Sequence, residues 1–288
     1  MRVSRLLLVM IGAGCWYTGA WAQSLPQPQE VVTRACDAMG GVAAFRKAGF
    51  LRVELSSEEV TEDGQTSSTK KVLVFHSESI IPVRLEIANL QVVAGDDGSG
   101  GWAVVGGRPD SRPSTSLMVR RMVTTDVFPL LLPCSLTWPG VAVTAVAPAQ
   151  VGDRPTWRLT VTLARNFFFT PQISTVWTVD VDRRSYQLVR AESPFTDLGK
   201  GVVADGMRFS WGNFVTVAGL RLPSSQMVVG LDAAGNEKTH SRRDQVRWER
   251  VEREQTAGLF ENPIPPEQRP RLPVGKPVSL PQNPAPSP

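Results

Sequence analysis

The chain has 288 residues, with 31 Lys and Arg against 27 Asp and Glu, a formal charge of +4 and an isoelectric point near 9.2. The excess lies at the ends: residues 1–22 hold Arg2 and Arg5 and no acid, and residues 262–288 hold Arg269, Arg271 and Lys276 against Glu267 alone. Without those five bases and one acid, 26 bases face 26 acids; this weakens the case for a phosphate-tracking nucleic-acid surface, and 2 His and 3 Cys weaken that for rich metal sites.

In chain order, the first segment reads as a secretory signal. Arg2 and Arg5 precede an apolar stretch from Leu6 to Ala13, and Ala20-Trp21-Ala22 is a small-x-small site predicting cleavage after Ala22. The apolar run is too short and too broken by glycine to span a bilayer of about 30 Å. Cys15, after Gly12-Ala13-Gly14, is the alternative, as a lipid-modified anchor. Either reading exports the protein, and cleavage after Ala22 makes it periplasmic.

Residues 23–261 read as one β-rich domain. Gln29–Met39 has helical patterning and stops at Gly40-Gly41, followed by a helical turn over Val42–Lys47. After Gly49 the period becomes two. Leu51, Val53 and Leu55 alternate with polar residues, Glu62-Asp63-Gly64 supplies a turn, and Lys71–Phe75 returns. The same alternation recurs in Val83, Leu85 and Ile87. A mid-chain helix fits Ser114–Thr125, leading to an apolar hook near Pro129. Alternation resumes with Trp157, Leu159, Val161 and Leu163, then Trp177, Val179 and Val181, then Met207, Phe209 and Trp211. About ten or eleven strands with one apolar face each predict a mainly β (α+β) fold. The forms this allows are a strongly curved antiparallel sheet, a sandwich or a barrel, with an N-terminal helix and a mid-chain helix. All six Trp beyond the signal are placed on or near its inner wall. Ten of the 23 prolines fall in Asn262–Pro288, which predicts an extended, disordered tail.

Catalytic chemistry is sparse. His76 and His240 are the two imidazoles available, and both read as surface or edge-strand residues. Ser99, in Asp97-Gly98-Ser99-Gly100-Gly101, reads as a hairpin turn because the first glycine of a nucleophile elbow is missing. Asp96 and Asp97 lack the later ligands of a calcium loop. No enzyme activity and no cofactor are expected. Cys36 and Cys134 remain after signal removal. They form either a disulfide between the opening helix and the segment after the mid-chain helix, or two buried free thiols.

Several short motifs, in order, resemble the periplasmic lipoprotein carriers of the LolA/LolB type and their outer-membrane lipoprotein-sorting relatives. They are the Pro-initiated strand Ile81-Pro82-Val83-Arg84-Leu85-Glu86, the turn Asp97–Gly101 leading to Trp102, Phe209–Pro223, and Leu259-Phe260-Glu261-Asn262-Pro263. Such carriers often have an arginine where this chain has Ile81. The resemblance implies an incomplete barrel around an apolar cavity, with helices as a lid. The wall would comprise Val53, Leu55, Leu85, Ile87, Trp102, Trp157, Leu159, Trp177, Phe209 and Trp211. The lid would present Leu117, Met118, Met122, Phe128 and Leu131. These residues either line an open cavity or fill a closed core. The function this implies is a non-catalytic exported carrier for a lipid acyl chain or lipoprotein, able to meet a membrane-associated protein partner. The alternative is a periplasmic sensor or scaffold of the same fold, binding a protein through its sheet surface or proline tail.

Overall fold

The computed structural model describes residues 25–269, except 80, 111, 165–166, 168–175 and 195–205. The side chains of 116–118, 120–121, 123–124 and 194 are likewise outside the described part. Two helices open it, α1 (Pro28–Asp37) and α2 (Gly41–Ala48). Pro28 occupies the first turn of α1, where a missing N–H costs nothing. Gly40 joins the helices with φ 112°, and a Cβ there would run into the Gly219 carbonyl oxygen. Beside it the Arg221 N–H donates to the Met39 carbonyl at 2.8 Å, so this turn is tied to the far half of the chain.

Among the described residues thirteen strands follow in two groups. The first comprises β1 (Phe50–Val60), β2 (Thr66–His76), β3 (Val83–Ile87), β4 (Val92–Asp96), β5 (Gly101–Val105) and β6 (Arg108–Asp110). After α3 (Pro113–Leu130) come β7 (Val141–Val151), β8 (Arg154–Leu163), β9 (Val176–Asp182), β10 (Leu188–Pro194), β11 (Gly206–Val217), β12 (Leu220–Leu231) and β13 (Glu237–Val251). Each group is an antiparallel meander. The first strand pairs with the last, from Phe50 opposite Val251 to Val60 opposite Ser241. The result is one sheet in the order β6-β5-β4-β3-β2-β1-β13-β12-β11-β10-β9-β8-β7.

This corrects the expected architecture. The sheet has 13 strands instead of ten or eleven, and its terminal strands β6 and β7 do not pair. It is open, and neither the incomplete barrel nor the strongly curved form applies. Period-two alternation reports that each strand has an apolar face, but is silent on what covers it. Here helices contribute the cover: α3 packs on β3, β4 and β5 and reaches β12, while α1 packs against β7. The mid-chain helix is longer than expected, and the apolar hook near Pro129 is its last turn.

The covered face is built by register. Val53 lies opposite both Leu73 and Trp248, and Leu73 opposite Leu85; all four are buried. Across the other meander Leu159 faces Val179, and Val179 faces Ala191. Phe128 of α3 closes the layer, with ring centroids 5.2 Å from Trp177, 5.5 Å from Phe167 and 6.0 Å from Trp138.

Trp102 breaks the expectation for the tryptophans. It sits opposite Gly95, which sits opposite Arg84, and this rung points to the other face. A Cβ on Gly95 would lie 2.8 Å from the Trp102 ring, so only glycine leaves room there. The segment after β13 covers this patch. Arg84 Nη1 donates to the Leu259 carbonyl at 3.0 Å, and Phe260 stacks on Phe50 at 5.5 Å. Ile264 is 1% exposed, and Arg269 Nε donates to its carbonyl at 2.8 Å. The expected tail thus starts against the sheet as far as Arg269; residues 270–288 lie outside the described residues.

Replacing Gly40 by alanine should lower stability by about 1–3 kcal/mol, read as a lower urea midpoint with an unchanged slope. The cause is a new methyl pressing on the Gly219 carbonyl in a backbone region that disfavours a side chain.

Candidate functional site

A cavity of about 130 Å³ lies on the covered face, under the C-terminal half of α3. One side of it is apolar: Trp177 of β9, Met207 and Phe209 of β11, and Val228 of β12. Trp177 and Phe209 stack at 5.5 Å with 14° between planes, and Phe209 stacks on Trp211 at 6.5 Å. The aromatic row follows from the register, since Ala191 on β10 faces Phe209 and leaves a gap between larger neighbours.

The other side is polar, and register again explains it. Along β13 the inward positions run Trp248, Val246, Asp244, Arg242; along β1 the facing ones run Val53, Leu55, Ser57, Glu59. The face that is apolar at one end therefore becomes charged at the other. The buried carboxylate of Asp126, on α3, meets this strip. Lys71 Nζ donates to it at 2.9 Å, and Arg242 Nη1 stands 3.3 Å away. Burial pushes the Asp126 carboxyl up, but the charges of Lys71 and Arg242 pull harder, holding its pKa below the ordinary carboxylate value. Burial likewise disfavours charge on Arg242, and Asp126 and Asp244 overcome it, raising its pKa.

The network continues inward. Asp244 accepts from Ser57 Oγ at 2.7 Å, from Gln226 Nε2 at 3.1 Å and from Arg242 Nε at 3.2 Å. Gln226 in turn accepts from Trp211 Nε1 at 3.0 Å. His240 lies 2.7 Å through Nε2 from Glu59. Because a carboxylate only accepts, Nε2 carries the proton in that bond. His240 is thus neither a surface nor an edge-strand residue: β13 lies between β1 and β12. On two lining residues a buried polar atom makes no hydrogen bond among the described residues: Ser193 Oγ, on a residue 1% exposed, and His240 Nδ1.

Of the wall residues read from sequence, Trp177 and Phe209 line the cavity and Trp211 backs it. Val53, Leu55, Leu85, Ile87 and Leu159 are buried in the sheet's share of the core, as are Phe128 and Leu131 from the helix side. Trp157 is half-buried at the core margin, with the Arg183 guanidinium 4.1 Å above its ring. Met122 is half-buried, the side chains of Leu117 and Met118 lie outside the described part, and Trp102 belongs to the opposite face. Sequence reasoning missed Glu59, Asp126, Ser193, Val228, His240 and Arg242, and it put Met207 on an apolar strand face without assigning it to the wall. The inward parity of β13 carried the signal for its two members, since Trp248 and Val246 share that parity with Asp244 and Arg242. Cys36 and Cys134 are buried free thiols. A hydrogen bond with Cys36, and burial, push the Cys134 thiol up. Among the described residues no group of three or more His, Cys, Asp and Glu side chains could hold a metal ion.

No protein-family model matches the chain, and no curated protein sequence matches it either. Solved structures do. A LolA superfamily protein from Nitrosomonas europaea superposes with a TM-score of 0.54 at 10% identity, covering 81% of this chain and 97% of that one. A DUF1329 family protein from Desulfovibrio piger superposes with a TM-score of 0.52 at 11% identity, covering 82% and 98%. The chain therefore shares the fold of LolA superfamily structures. At these identities the likeness concerns fold alone.

Replacing Asp126 by alanine leaves Lys71 without its carboxylate and Arg242 with Asp244 alone, and stability should fall by about 3–5 kcal/mol. In the native protein the folded-state pKa of Asp126 is depressed. Its contribution is complete above about pH 4 and is lost as pH falls through the folded value. Urea midpoints measured from pH 6 down to pH 2 should show this acid loss in the native protein and a shallower one in Asp126→Ala.

Proposed function

We propose that this is an exported, non-catalytic binding protein that holds a lipid acyl chain, free or on a lipoprotein, between the open sheet and α3. The observation that carries the reading is the cavity walled by Trp177, Phe209, Met207 and Val228 beneath a helix. The LolA superfamily fold and the signal-like residues 1–22 support it.

Energetics favour such a use. Each methylene hidden from water is worth about 0.8 kcal/mol, so a soluble carrier needs an apolar wall that can open. The cavity as it stands is close in size to one that admits a benzene-sized group, about 150 Å³. A longer chain enters by displacing Met207, which lines the cavity and is half-buried. Methionine suits this role because its unbranched thioether chain repacks easily. The ion network of Asp126 stays in place during entry and keeps α3 attached at its C-terminal half. The unit proposed for residues 23–261 extends to Arg269, since Ile264 is buried and Arg269 Nε donates to its carbonyl.

Native mass spectrometry of protein purified from the periplasm should show a lipid adduct, and the purified protein should take up a fluorescent acyl probe. Met207→Trp, which fills the cavity from a half-buried position, should weaken uptake by about tenfold or more, whereas Leu90→Arg on the exposed surface should leave it unchanged. Empty protein without probe uptake would overturn the reading. The mature protein should begin at Gln23; a mass including a diacylated Cys15 would replace soluble export by a membrane anchor.

A further inference from the structure

The cavity's polar side says what kind of group accompanies the chain. Among the described residues that line it, each charge is already engaged: Asp126 with Lys71 and Arg242, Arg242 also with Asp244, and Glu59 with His240. What is left over is neutral. Ser193 Oγ and His240 Nδ1 are buried without a hydrogen-bond partner, and both residues line the cavity. A buried polar atom left in this state costs about 1–3 kcal/mol, so two in one cavity point to a group that arrives with the ligand.

Resting on the acyl-binding reading, we infer that the site takes an uncharged acyl ester with a hydroxyl-bearing head, of the monoacylglycerol kind, and discriminates against free fatty acids. A carboxylate would enter beside two anions, Glu59, bonded to a neutral imidazole, and Asp126, whose two cations are already engaged. An ester carbonyl accepts the Ser193 hydroxyl proton without bringing charge. His240 Nδ1, with Nε2 donating to Glu59, accepts from a ligand hydroxyl.

The spacing favours an extended head over a compact one. Ser193 lies opposite Met207, and Met207 opposite Gly230. The serine on β10 and the histidine on β13 are thus three strands apart, about 14 Å between backbones at the usual strand separation. Side chains from both flanks shorten this gap, but a single carboxylate cannot serve both ends. A glycerol ester distributes its carbonyl and hydroxyls along several bonds and can.

The test uses delipidated mature protein and displacement of a neutral fluorescent acyl ester, with 1-monooleoylglycerol and oleate as competitors. Monooleoylglycerol should bind about tenfold more tightly than oleate, the equivalent of one buried hydrogen bond or like-charge contact. Ser193→Ala and His240→Gln should each weaken monooleoylglycerol several-fold and leave oleate unchanged. Oleate binding as tightly as the ester, or an ester affinity indifferent to both substitutions because water alone satisfies the two atoms, would overturn the inference while leaving acyl binding intact. Failure of the probe and both competitors to bind would remove the acyl-binding reading along with it.

Discussion

The pairing of β1 with β13 is the constraint on which the rest of the molecule depends. Each meander can form from neighbouring hairpins, but only this junction makes one sheet of the two. It brings together residues almost 200 positions apart, as Val53 does with Trp248, and closing so long a loop is costly before any contact rewards it. The reward lies in the first half of the ladder, where Val53, Leu55, Trp248 and Val246 are all buried. The second half is polar on the same face, with Ser57 opposite Asp244 and Glu59 opposite Arg242. One register therefore builds both a piece of core and the polar side of the cavity.

The route of α3 follows from that junction. With β1 and β13 in the middle, β6 and β7 lie at opposite edges, so the chain between them must cross the sheet. The helix that makes the crossing lies on the apolar face and covers it, and Phe128 and Asp126 anchor it in different ways. Phe128 packs among Trp177, Phe167 and Trp138. Asp126 is held by Lys71 from one meander and Arg242 from the other. A carboxylate in that position costs desolvation that its two cations offset, and it requires both halves of the sheet to be in register before the helix settles.

The elements themselves were largely legible. Both opening helices, the mid-chain helix and the alternating strands carry local signals: a helical period ended by Gly40-Gly41, or a period of two between turn residues. The aromatic side of the cavity was legible for the same reason, since Trp177 and Phe209 stand at apolar parity in their strands. Trp102 was misplaced because β5 is short, and Trp102 alternates with small residues that give no hint of which face is covered. Its surroundings come from the chain's end, where Ile264 and Arg84 meet the same face. Ser193, Glu59, His240 and Arg242 were missed because a polar residue at inward parity looks like an outward one until its partners on other strands are known.

By itself the sequence determined that the body is β-rich, with two opening helices and one mid-chain helix, and that the strands it marks by alternation have one apolar face; these depend on neighbours in the chain. It also determined that the body is charge-balanced, so the chain's basicity belongs to its two ends. Only the tertiary structure decided that the sheet stays open, that α3 shares in covering its inner face, and that one end of that face is charged. Those outcomes depend on pairings between residues far apart in sequence. The polar cluster of Lys71, Asp126, Asp244, Arg242 and Ser57 comes from four elements, and no local pattern records that they meet.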